Sequence, residues 1–550
     1  MLWENLEVHR SPRRAFPFPE RSLPPSVFRF FGPFLEAPIS IWKEIAMKSD
    51  VEHADVVVIG AGISGIGAAI SYKRAFPEKK LVILEAGASI GGTWATFTYP
   101  GVRSDSDMFS FAYSFRPWTS TSVYGDGATI LKYVRDTAEE FDVSRLVRFN
   151  HKVVHACFSS KSAKWHIKMH GDVPEISCSF LFLGVGYYDH QRGHMPEWRG
   201  LSDYSGALVH PQKWPHDLNL ADKRVAVIGS GATAISLIPA ISDKVRELVW
   251  IQRTPTYVVT RPAEDFFASF MLSIKKMLSV FLPIYNSTEL LFLVDIIIRI
   301  KFVFVSVFQY VISRRYPKPA RKSILREIPL SDEVKAKHFT PPYAVWDQRV
   351  CVALEGDLFE CIKKGSVKIF TNPEGIHSFS KNGLWLANDG TKGDFIAADV
   401  VIAATGLELV CMGSIKFFVD DAEVKPSNCV INRGCFLSTV PNMAFLFGYT
   451  NASWSLRLDI TMAYVVRTLK RMETLGKSIF TPIFSKETNG GTQGVSELLD
   501  FSAGYIQRGL YMFPKQGLTH PWKLSQNVLE GYKTAFWSDQ DDDSIVFSQS

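Results

Sequence analysis

The sequence has no Cys-x-x-Cys pair. Its seven cysteines, at 157, 178, 351, 361, 411, 429 and 435, are scattered and odd in number. That pattern fits reduced thiols in a cytosol-like compartment, and it argues against a redox-active dithiol and against any metal site of the zinc kind. Neither a Gly-x-Ser-x-Gly elbow nor a His-Glu-x-x-His helix is present. The side chains alone therefore offer no evident hydrolytic machinery, and a cofactor is expected to carry the chemistry. A net charge of +6 over 550 residues is small, and no stripe of interleaved basic and aromatic residues is found, so no nucleic-acid partner is expected. A clean membrane span is also missing. Leu290–Ile312 is strongly apolar but holds Asp295, Arg299 and Lys301, whereas a spanning helix needs about twenty residues nearly free of charge. Residues 1–50 read as an N-terminal extension. They hold several arginines, but Glu4, Glu7, Glu20 and Glu36 make a poor transit peptide, and no apolar signal core is present.

What is present is a well-packed globular composition, 46% hydrophobic and 21% charged. The chain is too long for one compact core, so two or three domains are expected. The strongest local signal runs from Asp55 to Glu85. Val56-Val57-Val58-Ile59 reads as a strand buried on both faces, and Gly60-Ala61-Gly62-Ile63-Ser64-Gly65 leads from it into a helix. The next strand, Leu81–Leu84, ends on Glu85 about twenty residues beyond the last glycine. Gly60 allows the tight turn, Gly62 lets a pyrophosphate approach the backbone, and Gly65 lets helix and strand pack closely. Ser64 lies at the start of the helix, whose free N–H groups favour phosphate, and Glu85 can accept from ribose hydroxyls. A glycine triplet alone is compatible with an unliganded turn; with two strands, a helix and a terminal acid it points to dinucleotide binding. Gly92, Thr93 and Trp94 follow, small residues that let a loop lie along a cofactor with Trp94 as a stacking surface.

A second such unit begins at Arg224. Val225–Ile228 is its strand, and Gly229-Ser230-Gly231-Ala232-Thr233-Ala234 its loop, with Ala234 in the third glycine's place. The following strand ends on Gln252-Arg253-Thr254, where no acid stands. Arginine there suits the 2′-phosphate of NADP, as an acid would suit NAD. Two units need two dinucleotides, and FAD at the first with NADP(H) at the second is the economical assignment. A further strand over Asp399–Ala404 leads into Thr405-Gly406, where the chain is expected to return to the first domain.

Between the units, Tyr204-Ser-Gly206-Ala-Leu-Val-His210-Pro-Gln-Lys-Trp214-Pro215 resembles the Baeyer–Villiger monooxygenase signature, with Tyr204 in place of the leading Phe. Tyr99-Pro-Gly-Val-Arg-Ser-Asp105, Trp346-Asp-Gln-Arg349 and Gly448-Tyr-Thr-Asn-Ala-Ser-Trp454 are similar to the ethionamide-activating subgroup of class B flavoprotein monooxygenases. The resemblance covers most of residues 52–530. It implies an α/β fold of two Rossmann-like dinucleotide-binding domains, the NADP domain inserted into a discontinuous FAD domain, with a helical subdomain. The expected boundaries are 51–200 and 399–535 for the FAD domain, 201–398 for the NADP domain with a helical insert at 263–340, and 536–550 for an acidic tail. It also implies oxygen transfer from O2, through a C4a-peroxyflavin, to a lipophilic ketone or a sulfide. Arg349 is then the active-site cation, and Asp105 the carboxylate that pairs with and orients it. His210 and its motif, Gly206, Trp214 and Pro215, are expected to organise the linker between domains. Gln348 stands where the family often has Lys. Two alternatives stay open: an N- or S-oxygenase without ketone chemistry, and a non-catalytic membrane-associated flavoprotein. Membrane-surface association of a cytoplasmic protein through residues 290–312 is a further expectation.

Overall fold

The computed structural model describes residues 51–281, 287–484, 494–538 and 543–550; the N-terminal extension lies outside them. Strand β1 (Glu52–Ile59) carries Val56, Val57 and Val58 almost wholly buried, which is why its apolar run is continuous rather than alternating. It turns through the first glycine loop into α1 (Ile63–Ala75) and returns as β2 (Leu81–Leu84), parallel to β1 with Val56 opposite Leu81. Strands β3 (Val147–Arg148), β4 (Val153–Ser159), β5 (Lys164–Met169) and β6 (Ile176–Leu183) complete the first pass.

The chain then builds a second sheet from β7 (Ala207–Val209), β8 (Arg224–Ile228), β9 (Glu247–Gln252), β10 (Lys368–Thr371) and β11 (Val400–Ala403), with α2 (Ala232–Ile241) after β8. All its pairings are parallel, in the order β10-β9-β8-β11-β7. After β9 and ahead of β10 come, among other elements, the helices α3 (Phe266–Phe281), α4 (Ser287–Arg315), α5 (Pro317–Glu327) and α6 (Asp332–His338). Because β11 hydrogen-bonds to β8, the chain leaves this sheet after Ala403, not ahead of the 399 boundary read from sequence.

Back in the first sheet come β12 (Lys416–Val419), β13 (Ala422–Val424) and β14 (Met443–Phe445), followed by α7 (Trp454–Thr474). The strand order is β13-β12-β4-β5-β6-β1-β2-β3, with β14 also on β6. Strand β6 is where the sheet forks. Its first half pairs antiparallel with β5 and its last three residues parallel with β14. The parallel part, β3-β2-β1-β6-β14, carries the first glycine loop at its carboxyl edge.

The expected acidic tail is corrected at its end. Ile545–Ser548 is a strand antiparallel to Ile479–Pro482, with Ile545 buried and the Phe547 ring 6.5 Å from Phe480. Apolar alternation at 545 and 547 decides the matter there, not the acidic residues before it; residues 539–542 lie outside the described part.

The charges that interrupt the apolar run of α4 all turn inward. Lys275 of α3 bonds Asp295, Arg299 reaches Asp459 of α7 at 2.7 Å, and Lys301 reaches Asp265 at 2.5 Å. No described helix is long and apolar enough to cross a membrane.

Candidate active site

The two glycine loops share one construction. A Cβ on Gly60 (φ 97°) would lie 2.6 Å from the Gly184 carbonyl oxygen, and one on Gly229 (φ 131°) 2.1 Å from that of Ala404. The second glycine of each loop is different. A Cβ on Gly62 meets nothing nearer than the Gly92 Cα at 3.6 Å, and one on Gly231 meets nothing within 4 Å. Helices α1 and α2 start at those glycines with no side-chain cap. By contrast, the helix Gly127–Glu140 is capped by Asp126 and α6 by Ser331. The first-turn N–H groups of α1 and α2 are thus left for phosphate oxygens, and the space a Cβ would fill is left for a pyrophosphate. The residues present fit a dinucleotide at each loop.

Both loops open into one cavity of about 1500 Å³. Ser64, Glu85, Gly92, Thr93, Trp94 and Asp105 line it from the first domain, and Ala232, Thr233, Arg253 and Thr254 from the second, with Thr405 and Gly406 between. Glu85 stands at the end of β2, its two oxygens accepting from the N–H groups of Ala61 and Gly87 at 2.7 Å each. Thr254 fixes the second loop, its carbonyl accepting from Ser230 Oγ at 2.7 Å. Gly65 does not reach the cavity; it packs α1 onto the strand, with the Gly60 oxygen 1.8 Å from where its Cβ would stand.

Arg349 faces this cavity, so the surface it exposes is cleft surface. Its Nη2 donates to Tyr187 Oη at 3.3 Å, and Tyr187 Oη lies 2.7 Å from Tyr188 Oη. The Tyr187 ring stacks on Trp454 at 5.3 Å and 12°, and Trp454 Nε1 donates to Ser64 Oγ at 2.8 Å. A continuous chain of contacts therefore runs from Arg349 to the first glycine loop. Tyr187, then Tyr505, Tyr188 and Asp105, outweigh burial and raise the guanidinium above its ordinary pKa, so it stays a cation.

The expected ion pair between Arg349 and Asp105 is not formed among the described residues, because Arg349 turns toward the tyrosines. Burial raises the Asp105 carboxyl to about 6, and the strongest opposing charge is Arg103, ahead of Arg349. Arg103 itself bridges to Asp357 at 2.6 Å and to the Val352 carbonyl at 3.0 Å. It thereby ties the loop carrying Asp105 to the strand Cys351–Leu354, which follows Arg349.

The segment from Tyr204 to Pro215 lies outside the cavity lining. A Cβ on Gly206 would meet the Asp399 carbonyl oxygen at 2.5 Å as well as Tyr204 Oη at 2.3 Å, and the backbone atom cannot give way; the added hydroxyl of Tyr204 donates to the Ala398 carbonyl at 3.1 Å. His210 Nδ1 accepts from the Gln212 N–H at 3.2 Å, which leaves Nε2 to donate to the Gly406 carbonyl at 3.0 Å. Burial lowers its pKa, so the neutral ring is a clasp. It holds the two crossings between the sheets, Tyr188–Gly193 and Leu407–Leu409, which themselves pair antiparallel. Trp214 packs into the core of the second domain, and Pro215 follows it.

Reading by sequence missed Tyr187, Tyr188, Tyr505, Arg508 and Arg103. The first two directly follow Gly184-Val185-Gly186, a glycine pair at the end of the apolar run 180–183, so a signal existed. Tyr505 and Arg508 had none. Arg508 lines the cavity close enough to Arg253 that, after burial, the Arg253 charge helps lower its pKa. Lys213 does not line it.

The model of the flavin-binding monooxygenase-like family matches residues 53–294. FAD-containing monooxygenase EthA of Mycobacterium tuberculosis is 38% identical over 505 residues, covering 90% of this chain and 98% of the relative. Probable FAD-binding monooxygenase AlmA of Acinetobacter baylyi is 35% identical over 510 residues, covering 90% and 97%. Among solved structures, an oxidised steroid monooxygenase bound to NADP superposes with a TM-score of 0.67 at 20% identity, over 90% of this chain and 100% of that one. OTEMO in complex with FAD and NADP gives 0.66 at 19%, over 91% and 100%. At such identities the likeness of structure establishes the fold, two dinucleotide-binding sheets with a shared cleft. The likeness of sequence over nearly whole lengths establishes more: the chain belongs to the flavin-binding monooxygenase family.

Proposed function

We propose that this chain is an FAD-dependent, NADPH-consuming monooxygenase that places one oxygen atom of O2 into a lipophilic ketone, giving an ester or lactone, and that it also oxidises sulfides. The observation that carries the reading is the cavity onto which two uncapped glycine cradles and Arg349 all open. Gly62 and Gly231 with the first turns of α1 and α2 hold the two pyrophosphates, Glu85 one ribose, and Arg253 the 2′-phosphate. FAD, when bound and reduced by NADPH, supplies the activation of O2. The chain's own contribution would be to hold the two dinucleotides in one cleft, to keep water from it, and to set Arg349 where negative charge develops on oxygen. Asp105 balances Arg103 and so steadies the strand after Arg349. The protein works in a cytosol-like compartment, with residues 290–312 against a membrane surface.

A second reading, an N- or S-oxygenase without ketone chemistry, is favoured by Gln348, which removes one positive charge near NADP where the family often has Lys. Consumption of NADPH and O2 with a panel of ketones and sulfides, scoring ester, sulfoxide and free H2O2 separately, distinguishes the two. Ester from a ketone supports the first reading; sulfoxide with no ester from any ketone supports the second.

Arg253→Ala is expected to raise KM for NADPH about tenfold or more while leaving KM for NADH within about twofold, since hydrogen bonds to a charged group contribute about 1.5–3 kcal/mol. Equal effects on the two nucleotides would remove the 2′-phosphate role.

A further inference from the structure

The α3–α4 hairpin is built inside out. On α4 the charged residues Asp295, Arg299 and Lys301 face the protein and are paired there. Leu293, Ile297, Ile300, Phe304, Phe308 and Val311, spaced by threes and fours, are 38% to 66% exposed. That spacing makes one apolar stripe along the helix. On α3 Phe266 is 88% and Phe270 54% exposed. A continuous apolar surface of this kind marks a site of contact with something apolar.

Charge says what that is. From Ile296 to Arg326 the sequence contains no Asp or Glu, and Arg315, Lys318, Lys322 and Arg326 are exposed at and beyond the end of the stripe. A second copy of this chain would set that acid-free stretch against itself. An anionic lipid surface complements both parts at once, the stripe by its acyl boundary and the cations by its headgroups. The inward ion pairs at mid-helix make α4 lie along such a surface rather than cross it. Its inner side packs on a helix that lines the cleft. Phe302 stacks on Phe109 at 4.7 Å, in the short helix Met108–Phe111 whose last residue lines the cavity. Arg314 pairs at 2.7 Å with Asp347, two residues before Arg349.

We propose that the α3–α4 hairpin docks on an anionic phospholipid leaflet, with Phe304 and Phe308 entering the headgroup–acyl boundary and Arg315, Lys318 and Lys322 engaging the headgroups. This rests on the membrane-surface reading of residues 290–312 and names the lipid and the residues that meet it. The docked face is the back of the cavity wall, so an apolar substrate dissolved in the leaflet is delivered beside the cleft.

The test is flotation of the full-length, flavin-loaded protein with phosphatidylcholine vesicles, with and without phosphatidylglycerol, at low and high salt. Binding is expected only with phosphatidylglycerol and is expected to weaken in salt. Phe304→Ser with Phe308→Ser, and separately Arg315→Glu with Lys318→Glu and Lys322→Glu, are each expected to cut partitioning by about tenfold or more. Neither set touches the cavity, so lipid-free NADPH oxidation should stay unchanged. Equal binding to both vesicle types, or no effect of either set, overturns the proposal. So does an oligomer in lipid-free solution that only the phenylalanine pair dissolves, which would make a second copy the occupant. Loss of NADPH oxidation in the unmodified protein would instead tell against the monooxygenase reading and leave the lipid result to stand on its own.

Discussion

Arg349→Ala is expected to abolish oxygen transfer while leaving reduction of the bound flavin by NADPH within a few-fold of its original rate. The two steps ask different things of the site. Reduction, on the proposed reading, depends on the glycine loops Gly60–Gly65 and Gly229–Ala234, and Arg349 belongs to neither. Transfer, on the proposed reading, develops negative charge on oxygen, and a fixed cation acts on it most strongly where water is kept out. Loss of one such group costs about 10²–10³-fold in turnover. Consumption of NADPH and O2 should therefore continue with free H2O2 as the outcome, and ester or sulfoxide yield should fall by that factor. Stability should hardly move. The side chain faces the cavity, and its one hydrogen bond among the described residues is the 3.3 Å contact to Tyr187, so its removal leaves neither a packing void nor a buried unpaired charge. Arg349→Lys keeps the charge but not the planar fork, and is expected to recover part of the yield. Undiminished yield in the alanine variant would take Arg349 out of the mechanism.

The same contact chain explains why local sequence carried some of this site and not the rest. Each glycine loop is legible because its demands are local: a strand, a turn that a Cβ would block, and a helix start without a capping side chain lie within a dozen residues. Arg349 and Asp105 were legible only through the motif, and the motif did not carry their geometry. The surroundings of Asp105 depend on how residues 103–105 meet residues 351–357 across the two sheets, and there the charge of Arg103 acts on it more strongly than that of Arg349. Tyr505 stands some three hundred residues from Tyr187 in sequence, with no pattern to betray their meeting. The α4 helix is a different case. Its charges make it no clean candidate for a spanning segment, but whether they point out or in is a matter of packing partners. Those partners, Lys275, Asp265 and Asp459, are spread over two other helices and a loop. At the C-terminus, the acidic run outweighed a short apolar alternation whose value appears only once Ile479–Pro482 is there to pair with it.

Two alanine substitutions in the first loop should separate a loop that folds from a loop that binds. A Cβ on Gly65 would stand 1.8 Å from the Gly60 oxygen and 2.9 Å from the Gly60 carbon. Both are backbone atoms of the turn itself, so α1 must move off the strand by roughly 1.5 Å to restore ordinary contact. Gly65→Ala is therefore expected to destabilise the protein, by about 1–3 kcal/mol as overpacked cores do, and to yield a colourless preparation. Gly62 is open: its Cβ would sit 3.6 Å from Gly92 Cα, an ordinary van der Waals distance. Gly62→Ala should fold with an unchanged unfolding midpoint in the flavin-free state, yet bind FAD at least about a hundredfold more weakly, because the methyl occupies the space left for the pyrophosphate. The second loop supplies the control, since Ala234 already stands, fully buried, where the first loop has Gly65; Ala234→Gly should leave NADPH affinity within a few-fold. Flavin content after purification, flavin affinity by fluorescence quenching and flavin-free melting temperature read the outcomes. Full flavin loading in Gly62→Ala would mean that the pyrophosphate lies elsewhere, and with it the placement of FAD at the first loop would be lost.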